Sequence, residues 1–305
     1  MAAKRILLTG CYGLLGQRII ENMPEGFFVL GTDVDDKVLL HGDNFQYVKL
    51  DITKRKDIKA ICDELKPEII INAAAYTDVD KSETDKEQCW RVNVAGVENL
   101  LKISKRVNAK FIHLSTDYIF DNKKEIYTEQ DNPSPMNYYG KSKLASENLV
   151  RSSGIDWAII RTSTLYDVDM LKGRQSFVSW VIGNLEQQKK IRIVSDQWGN
   201  PTLARSLANG VWKIIILDKS GVYHIAGPDL IDRYTFTQNI ARHFKLKEDL
   251  IRKISTDELD QAAVRPLKIG LDITKAKNEL NIELTGIEKG LLLFKKDYLT
   301  LHRNN

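Results

Sequence analysis

The chain has 305 residues, of which 43% are hydrophobic, and its 45 basic and 41 acidic residues leave a formal net charge of +4. This length supports one large α/β domain or two moderate ones, each with a sizeable core. Positive and negative charges are mixed along the sequence, so no basic tract marks a nucleic-acid or membrane partner, and we expect a small-molecule substrate.

The cysteines and the N-terminus indicate a cytoplasmic protein. Cys11, Cys62 and Cys89 are odd in number and lack CxxC spacing, so we expect reduced thiols and no metal site. The N-terminal segment lacks the apolar length and cleavage site of a signal peptide. No apolar run approaches the roughly 18 residues of a membrane span.

Short β-rich runs alternate with helical patterns along the first half of the chain. We predict strands over residues 5–9, 27–33, 46–50, 68–72, 110–115 and 157–161. Helices are predicted over residues 14–22, 56–65 and 86–107, and a further helix carries Tyr139 and runs to about residue 152. This alternation predicts an α/β fold built on a doubly wound parallel (Rossmann) sheet.

The second half has a looser pattern. Amphipathic helices are predicted near residues 175–188, 203–217 and 234–244, with short strands at 192–194 and 221–225. We interpret this part as a smaller α/β C-terminal lobe that closes over the carboxyl edge of the sheet. The Rossmann domain is assigned to residues 1–164, with 203–226 returning to it, and the substrate-binding lobe to residues 165–202 and 227–305.

A glycine-rich loop follows the first predicted strand and precedes the first helix. Glycines let the backbone approach a pyrophosphate closely, and the helix N-terminus offers free N–H groups. An isolated match of this kind could equally be an ordinary glycine-rich turn. Its position between strand and helix predicts a dinucleotide site contacted by Gly10, Tyr12, Gly13, Leu14, Leu15 and Gly16.

Asp33 stands 23 residues after Gly10, at the end of the second predicted strand. A carboxylate there can accept hydrogen bonds from both adenosine ribose hydroxyls and would repel a 2′-phosphate. No arginine follows it closely, although Lys37 could meet such a phosphate. We therefore predict a preference for NAD(H), with NADP(H) as the alternative.

Three further segments carry candidate cofactor contacts. Asp51 could reach the adenine amino group or simply cap the next helix. Small side chains after Asn72 would let a flat cofactor lie against the sheet edge. Asn93 is polar on an apolar helix face, where we expect it to brace the active-site helix or hold a water molecule. The predicted cofactor contacts in these segments are Asp51, Ile52, Ala73, Ala74, Ala75 and Asn93.

Tyr139 and Lys143 are one helical turn apart and follow Ser115-Thr116-Asp117 by about 25 residues. Spacing of four residues places the phenol and the ammonium on one helix face. Lowering a tyrosine pKa from about 10 to about 7 needs roughly 4 kcal/mol, which one cation at about 4.5 Å supplies at an effective dielectric constant of about 20. We therefore expect Tyr139 to exchange protons near neutral pH. Tyr138 is the alternative proton donor, but the residue four positions after it is Ser142 and not a lysine.

The order of these motifs resembles the extended short-chain dehydrogenase/reductase superfamily. A narrower resemblance, to the dTDP-4-dehydrorhamnose reductase branch, covers nearly the whole chain. It is carried by the segments Ala73-Ala-Ala-Tyr-Thr-Asp-Val-Asp-Lys-Ser-Glu83, Arg161-Thr-Ser163, Asp196-Gln-Trp-Gly-Asn-Pro-Thr202, Gly221-Val-Tyr-His-Ile-Ala-Gly227 and Arg265-Pro-Leu267.

The resemblance implies NAD(P)H-dependent reduction of a nucleotide-linked 4-keto-6-deoxyhexose. It implies that Thr116 hydrogen-bonds the substrate carbonyl, that Tyr139 protonates its oxygen and that Lys143 holds the nicotinamide ribose and lowers the tyrosine pKa. A nucleotide-sugar substrate and a homodimer would be the partners. The candidate substrate contacts are Tyr76, Asp117, Thr164, Gln197 and Asn200.

Departures from the family pattern bear on the substrate more than on the chemistry. Tyr76 stands where the family usually has His, and Thr164 where it usually has Trp, so the sugar and its carrier stay open. Arg18 stands where some members have a metal-binding Glu, which weakens the case for a magnesium-linked dimer. Gln197 and Asn200 flank Gly199 and Pro201 in a segment that could equally be a structural turn.

Two other function classes stay open. The same branch includes a non-catalytic regulatory subunit of methionine adenosyltransferase, and the superfamily includes epimerases and dehydratases. A dehydratase usually has Asp-Glu beside the catalytic Thr, whereas Asp117-Tyr118 follows it here. The full set of Thr116, Tyr139 and Lys143 favours simple reduction.

Overall fold

The computed structural model describes residues 3–35, 40, 42–171 and 175–303. Its centre is a sheet of seven parallel strands in the order β7-β6-β5-β4-β1-β2-β3. The strands are β1 (Lys4–Thr9), β2 (Phe27–Asp33), β3 (Phe45–Lys49), β4 (Ile69–Asn72), β5 (Lys110–Thr116), β6 (Trp157–Thr162) and β7 (Gly221–His224). The doubly wound α/β fold is therefore confirmed.

Successive side chains of each strand point to opposite faces of the sheet and pack into an apolar layer on each face. Ile6 and Leu8 of β1 point into one layer with Ile71, whereas Leu7 points into the other with Ile70, and all five side chains are fully buried. Burial on both faces explains why these strands read as continuous apolar runs rather than as alternating patterns.

Helices cover both faces, and others form a separate cluster. Residues of α1, α8 and α10 pack in one layer and residues of α2, α5 and α6 in the other. The helices are α1 (Leu14–Glu21), α2 (Arg55–Leu65), α3 (Lys81–Thr84), α4 (Lys86–Trp90), α5 (Val97–Val107), α6 (Tyr138–Ser152), α7 (Phe177–Glu186), α8 (Ala204–Ile216), α9 (Arg233–Phe244), α10 (Thr274–Leu280) and α11 (Ile287–Arg303). Within the described ranges, no helix is both long and apolar enough to cross a membrane.

The helix predicted over residues 86–107 is interrupted by a wider turn. Between α4 and α5 the segment Arg91–Gly96 is a π-helix, a local form that is rare and frequent at functional sites. The segment still ends as the sequence indicates, because Asn108 adopts a left-handed conformation with φ 56° after α5.

A second apolar cluster joins α7, α9 and α11 and includes the buried side chains of Tyr166, Phe236 and Phe294. Short two-stranded pairs accompany it: Leu165–Tyr166 with Thr202–Leu203, Ile191–Val194 with Ile251–Ile254, Trp198–Gly199 with Ile231–Asp232, and Ile126–Tyr127 with Gly270–Leu271. The residues of this cluster come from the second half of the chain, beyond β6.

An ion cluster around the buried Arg18 side chain joins α1 and α11. Arg18 of α1 is 1% exposed and lies 2.6 Å from carboxylate oxygens of both Glu21 and Asp167 and 3.4 Å from Asp297 of α11. The guanidinium is therefore committed to carboxylates on three parts of the chain.

Candidate active site

Three adjoining cavities lie along the carboxyl end of the sheet. The central cleft is lined by Thr116, Tyr139 and Lys143 among others. The Asp33 pocket shares Gly10 and Ala73 with it. The Gln197 pocket shares Asp117 and Thr164 with the central cleft. This is the edge at which ligands bind in open α/β sheets.

The glycine loop is shaped for close approach. Gly10 has φ +71°, and a Cβ there would lie 2.7 Å from the backbone of Ala73. A Cβ on Gly16 would lie 2.4 Å from the carbonyl oxygen of Gly10. The N-terminus of α1 has no side-chain cap, so its first N–H groups are available to an anion. The residues present therefore fit a dinucleotide pyrophosphate.

The Asp33 pocket contains the carboxylate predicted for the ribose. One oxygen of Asp33 accepts a hydrogen bond from the Tyr12 backbone N–H at 3.1 Å and the other from Val34 at 2.8 Å. Tyr12 thus acts through its backbone, and its ring stacks on Tyr47 with centroids 4.6 Å apart. Lys37, the weak point of the predicted cofactor preference, lies outside the described residues.

The structure brings most of the predicted cofactor contacts to these two cavities. The central cleft is lined by Gly10, Gly13, Leu14, Leu15, Gly16, Ala73 and Ala75, and the Asp33 pocket also by Asp51, Ile52, Ala74 and Tyr76. Tyr76 was expected beside the sugar. It follows the small residues after β4 and lines the pocket of Asp33 and Asp51, and its contact with the sugar stays a prediction.

Thr116, Tyr139 and Lys143 converge because β5 ends where α6 begins to pack on it. Asn137 caps α6 by accepting a hydrogen bond from the Gly140 N–H at 2.8 Å. The side chains of Tyr139 and Lys143 are both buried, at 9% and 3% exposure. The Lys143 ammonium donates to the Leu114 carbonyl at 2.6 Å, which holds it under the cleft floor.

The pKa of Tyr139 differs from the expectation. Burial raises the pKa of the Tyr139 hydroxyl well above its ordinary value, while its hydrogen bond with Thr116 acts in the opposite direction. Burial also lowers the pKa of Lys143 to about 8, although the charge of Glu147 opposes this. The expected lowering of the tyrosine pKa by Lys143 was therefore wrong for this structure, because the ammonium is directed to a backbone carbonyl and the phenol is desolvated.

Glu147 extends the Tyr139 and Lys143 face of α6 by another turn, and its role was missed by the sequence analysis. Its carboxylate accepts hydrogen bonds from Arg161 at 3.0 and 2.8 Å, and both side chains are at most 1% exposed. Burial would raise the pKa of Glu147, but the hydrogen bonds and charge of Arg161 bring it below its ordinary value. The sequence signal for Glu147 was its position four residues after Lys143, which places both on one helix face.

Two of the predicted ligand contacts make hydrogen bonds that brace the protein. Asn93 is 1% exposed, and its amide binds the backbone N–H and carbonyl of Tyr76 and the hydroxyl of Ser142. Asn200 is 3% exposed and binds the Gly227 carbonyl and the Leu271 N–H. Asn93 thus braces α6 through Ser142, as expected from the sequence, whereas contacts of Asn93 with the cofactor and of Asn200 with the substrate stay predictions.

Other predicted substrate contacts surround the Gln197 pocket. Asp117 and Thr164 line both this pocket and the central cleft, and Gln197 lines the pocket alone. Burial raises the pKa of Asp117, whereas hydrogen bonds from Ser163 and Thr116 oppose the rise. Thr164 has φ +27°, a strained conformation for a β-branched residue and one that clusters at ligand sites.

Comparison with known proteins gives consistent matches over nearly the whole chain. The family model described as RmlD substrate binding domain matches residues 4–299. A dTDP-4-dehydrorhamnose reductase of Aggregatibacter actinomycetemcomitans is 31% identical over 94% of this chain and 97% of its own length. The subunit beta of methionine adenosyltransferase 2 from Xenopus tropicalis is 31% identical over 89% of this chain and 81% of its own length.

Among solved structures, the dTDP-4-dehydrorhamnose reductase of Bacillus anthracis in complex with NADP is similar to this chain. It superposes with a TM-score of 0.85 at 29% identity and covers 97% of this chain and 99% of its own.

Proposed function

Because this chain belongs to the RmlD substrate binding domain family, a branch of the extended short-chain dehydrogenases/reductases, we propose that it reduces the 4-keto group of a nucleotide-linked 6-deoxyhexose with NAD(P)H. The observation that carries the proposal is the meeting of Thr116, Tyr139 and Lys143 in the same cleft as the glycine loop. The relatives named as reductases support it.

The chemistry needs a hydride and a proton on opposite ends of a carbonyl. Bound NAD(P)H supplies the hydride. As charge develops on the carbonyl oxygen, the hydroxyls of Thr116 and Tyr139 are the donors at the cleft floor, and Tyr139 gives its proton to the oxygen. Burial keeps Tyr139 protonated at neutral pH, which is the form that reduction requires. Lys143 would hold the nicotinamide ribose.

Asp33 supports a preference for NADH within this proposal. Its carboxylate lines the pocket that adjoins the glycine loop, where it would accept hydrogen bonds from ribose hydroxyls and repel a 2′-phosphate. Tyr12 and Val34 fix its orientation through their backbone N–H groups.

The test is direct. Purified protein is mixed with dTDP-4-keto-6-deoxyhexoses and NADH or NADPH, and nicotinamide absorbance is followed while the sugar product is identified. Consumption of cofactor with formation of the 4-hydroxy sugar supports the proposal. No oxidation with any ketosugar of the panel contradicts it.

A second candidate function follows from the methionine adenosyltransferase subunit, whose identity to this chain equals that of the bacterial reductase. In that case the protein would bind a partner enzyme rather than turn over a sugar. Gel filtration with a methionine adenosyltransferase separates the two: a stable complex together with inactivity towards ketosugars favours the regulatory function. An active reductase that forms no complex excludes it.

A further inference from the structure

Arg233, the first residue of α9, lies where the central cleft meets the Gln197 pocket. Asp117, Tyr118, Thr164 and Arg233 line both cavities, so Arg233 occupies the boundary between them. The sequence analysis gave it no role. Arg233 does not line the Asp33 pocket, which sets it apart from the residues there that fit a dinucleotide.

The guanidinium of Arg233 forms no salt bridge with the described residues, and the carboxyl group on which its charge acts is that of Asp117. Its charge lies over the ring of Phe177, 5.5 Å from the centroid, and no carboxylate of the described ranges lies within 4.0 Å of it. The charge of Arg233 lowers the pKa of Asp117 against the effect of burial, but the hydrogen bonds of the nearby acids are made with other groups. Asp117 accepts hydrogen bonds from Thr116 and Ser163, and Asp232 caps α9 by accepting from Thr235.

The basic side chains of the central cleft differ in burial and in the groups that they contact. Lys143 and Arg233 are the basic side chains that line the described part of the central cleft. Lys143 is buried and donates to the Leu114 carbonyl. The glycine loop, which fits a pyrophosphate, adjoins the Asp33 pocket. A second phosphate-bearing ligand would therefore meet Arg233 rather than these groups.

We propose that Arg233 binds the diphosphate that joins the sugar to its nucleoside. This rests on the proposed function: a hexose with its carbonyl at Thr116 and Tyr139 carries its diphosphate one sugar ring away, towards the Gln197 pocket. A guanidinium suits the task because it presents several N–H donors in a plane and pairs with phosphate oxygens in a bidentate manner. Arg233 thereby selects substrates that carry a phosphate.

The proposal is tested by calorimetric binding of dTDP and UDP to the NADH-loaded protein. Arg233→Gln should weaken binding of the better diphosphate by about tenfold or more, the scale of a lost charge-assisted hydrogen bond. The diphosphate affinity of Arg233→Lys should lie between those of Arg233→Gln and the unaltered protein. Lysine keeps the positive charge but lacks the planar set of N–H donors of a guanidinium. Arg242→Gln, at the other end of α9, removes an exposed guanidinium and should leave diphosphate binding unchanged.

Several outcomes would overturn the proposal. Unaltered dTDP and UDP affinity in Arg233→Gln would do so, as would an equal loss of NADH affinity, which would place Arg233 on the cofactor. Circular dichroism of each variant excludes unfolding as the cause. The binding assay needs no turnover. If Arg233→Gln weakens diphosphate binding while the unaltered protein reduces no ketosugar, the proposed reductase activity is contradicted and the role of Arg233 in diphosphate binding is not. Unchanged KM in an active Arg233→Gln enzyme would contradict only the role of Arg233.

Discussion

Replacing Glu147 by Gln tests whether the buried ion pair behind the active-site helix supports the fold. The carboxylate of Glu147 binds Arg161 through two hydrogen bonds of 3.0 and 2.8 Å. Glu248 and Arg242 provide a matched pair, with hydrogen bonds of 2.9 and 3.0 Å. The geometry is the same, but the second pair is 37% and 58% exposed, against 0% and 1% for the first.

The expected magnitude follows from that difference in burial. The amide of Gln would leave the Arg161 guanidinium charged and desolvated, with His224 as a neutral neighbour, since burial lowers the pKa of His224 to about 3. Removing one partner of a buried pair costs about 3–5 kcal/mol of unfolding free energy. The same change at Glu248 should cost much less, because water solvates the exposed arginine that remains.

Urea unfolding followed by tryptophan fluorescence measures both losses under identical conditions. We expect Glu147→Gln to be several times more destabilising than Glu248→Gln. The pH dependence of activity is a second measurement on Glu147→Gln. The charge of Glu147 raises the pKa of Lys143. Removing that charge should therefore move the alkaline fall in activity to lower pH. Equal losses of stability in the two variants would refute the reasoning.

Further predictions concern the cleft itself. Tyr139→Phe should lower turnover by at least about a hundredfold, the scale of a lost general acid, while NADH affinity persists. Tyr138→Phe is its control, and near-normal turnover in Tyr139→Phe would exclude the assigned acid. In a pH series the reduction rate should fall as pH rises through about 8, where Lys143 loses its proton; a rate that stays flat to pH 10 contradicts this. Asp33→Ala should weaken NADH binding and relax discrimination against NADPH, measured as a ratio of kcat/KM, whereas exposed Asp35→Ala should change neither.

The strands were predictable because a buried parallel strand leaves a plain sequence signal. Ile69–Asn72 and Phe27–Asp33 are short apolar runs between turn residues, and the structure places them within one residue of the predicted bounds. The π-turn at Arg91–Gly96 has no such signal, since its apolar pattern fits an ordinary helix. It is fixed by the contacts of Asn93 with Tyr76 and Ser142, which are 17 and 49 residues away in sequence.

The residues of the candidate site also differ in whether local sequence could predict them. Spacing brought out Tyr139 and Lys143 because both lie on one helix, and the glycine loop because its context is local. Arg233 could not be found by spacing, since only tertiary packing carries α9 to the cleft. The direction of the Tyr139 pKa also escaped sequence reasoning. Proximity of a cation was inferred from the helix, but desolvation and the bond from Lys143 to Leu114 depend on the whole packed interior.

The ion cluster at Arg18 has a consequence for synthesis on the ribosome. Two of the carboxylates that Arg18 meets stand 149 and 279 residues later in the chain, at Asp167 and Asp297. Until α11 has emerged from the exit tunnel, Arg18 lacks its contact with Asp297 and keeps those with its neighbour Glu21 and with Asp167. Synthesis of α11 therefore adds an electrostatic contact to a helix made much earlier, and a nascent chain stalled before α11 should be more sensitive to protease than the released protein.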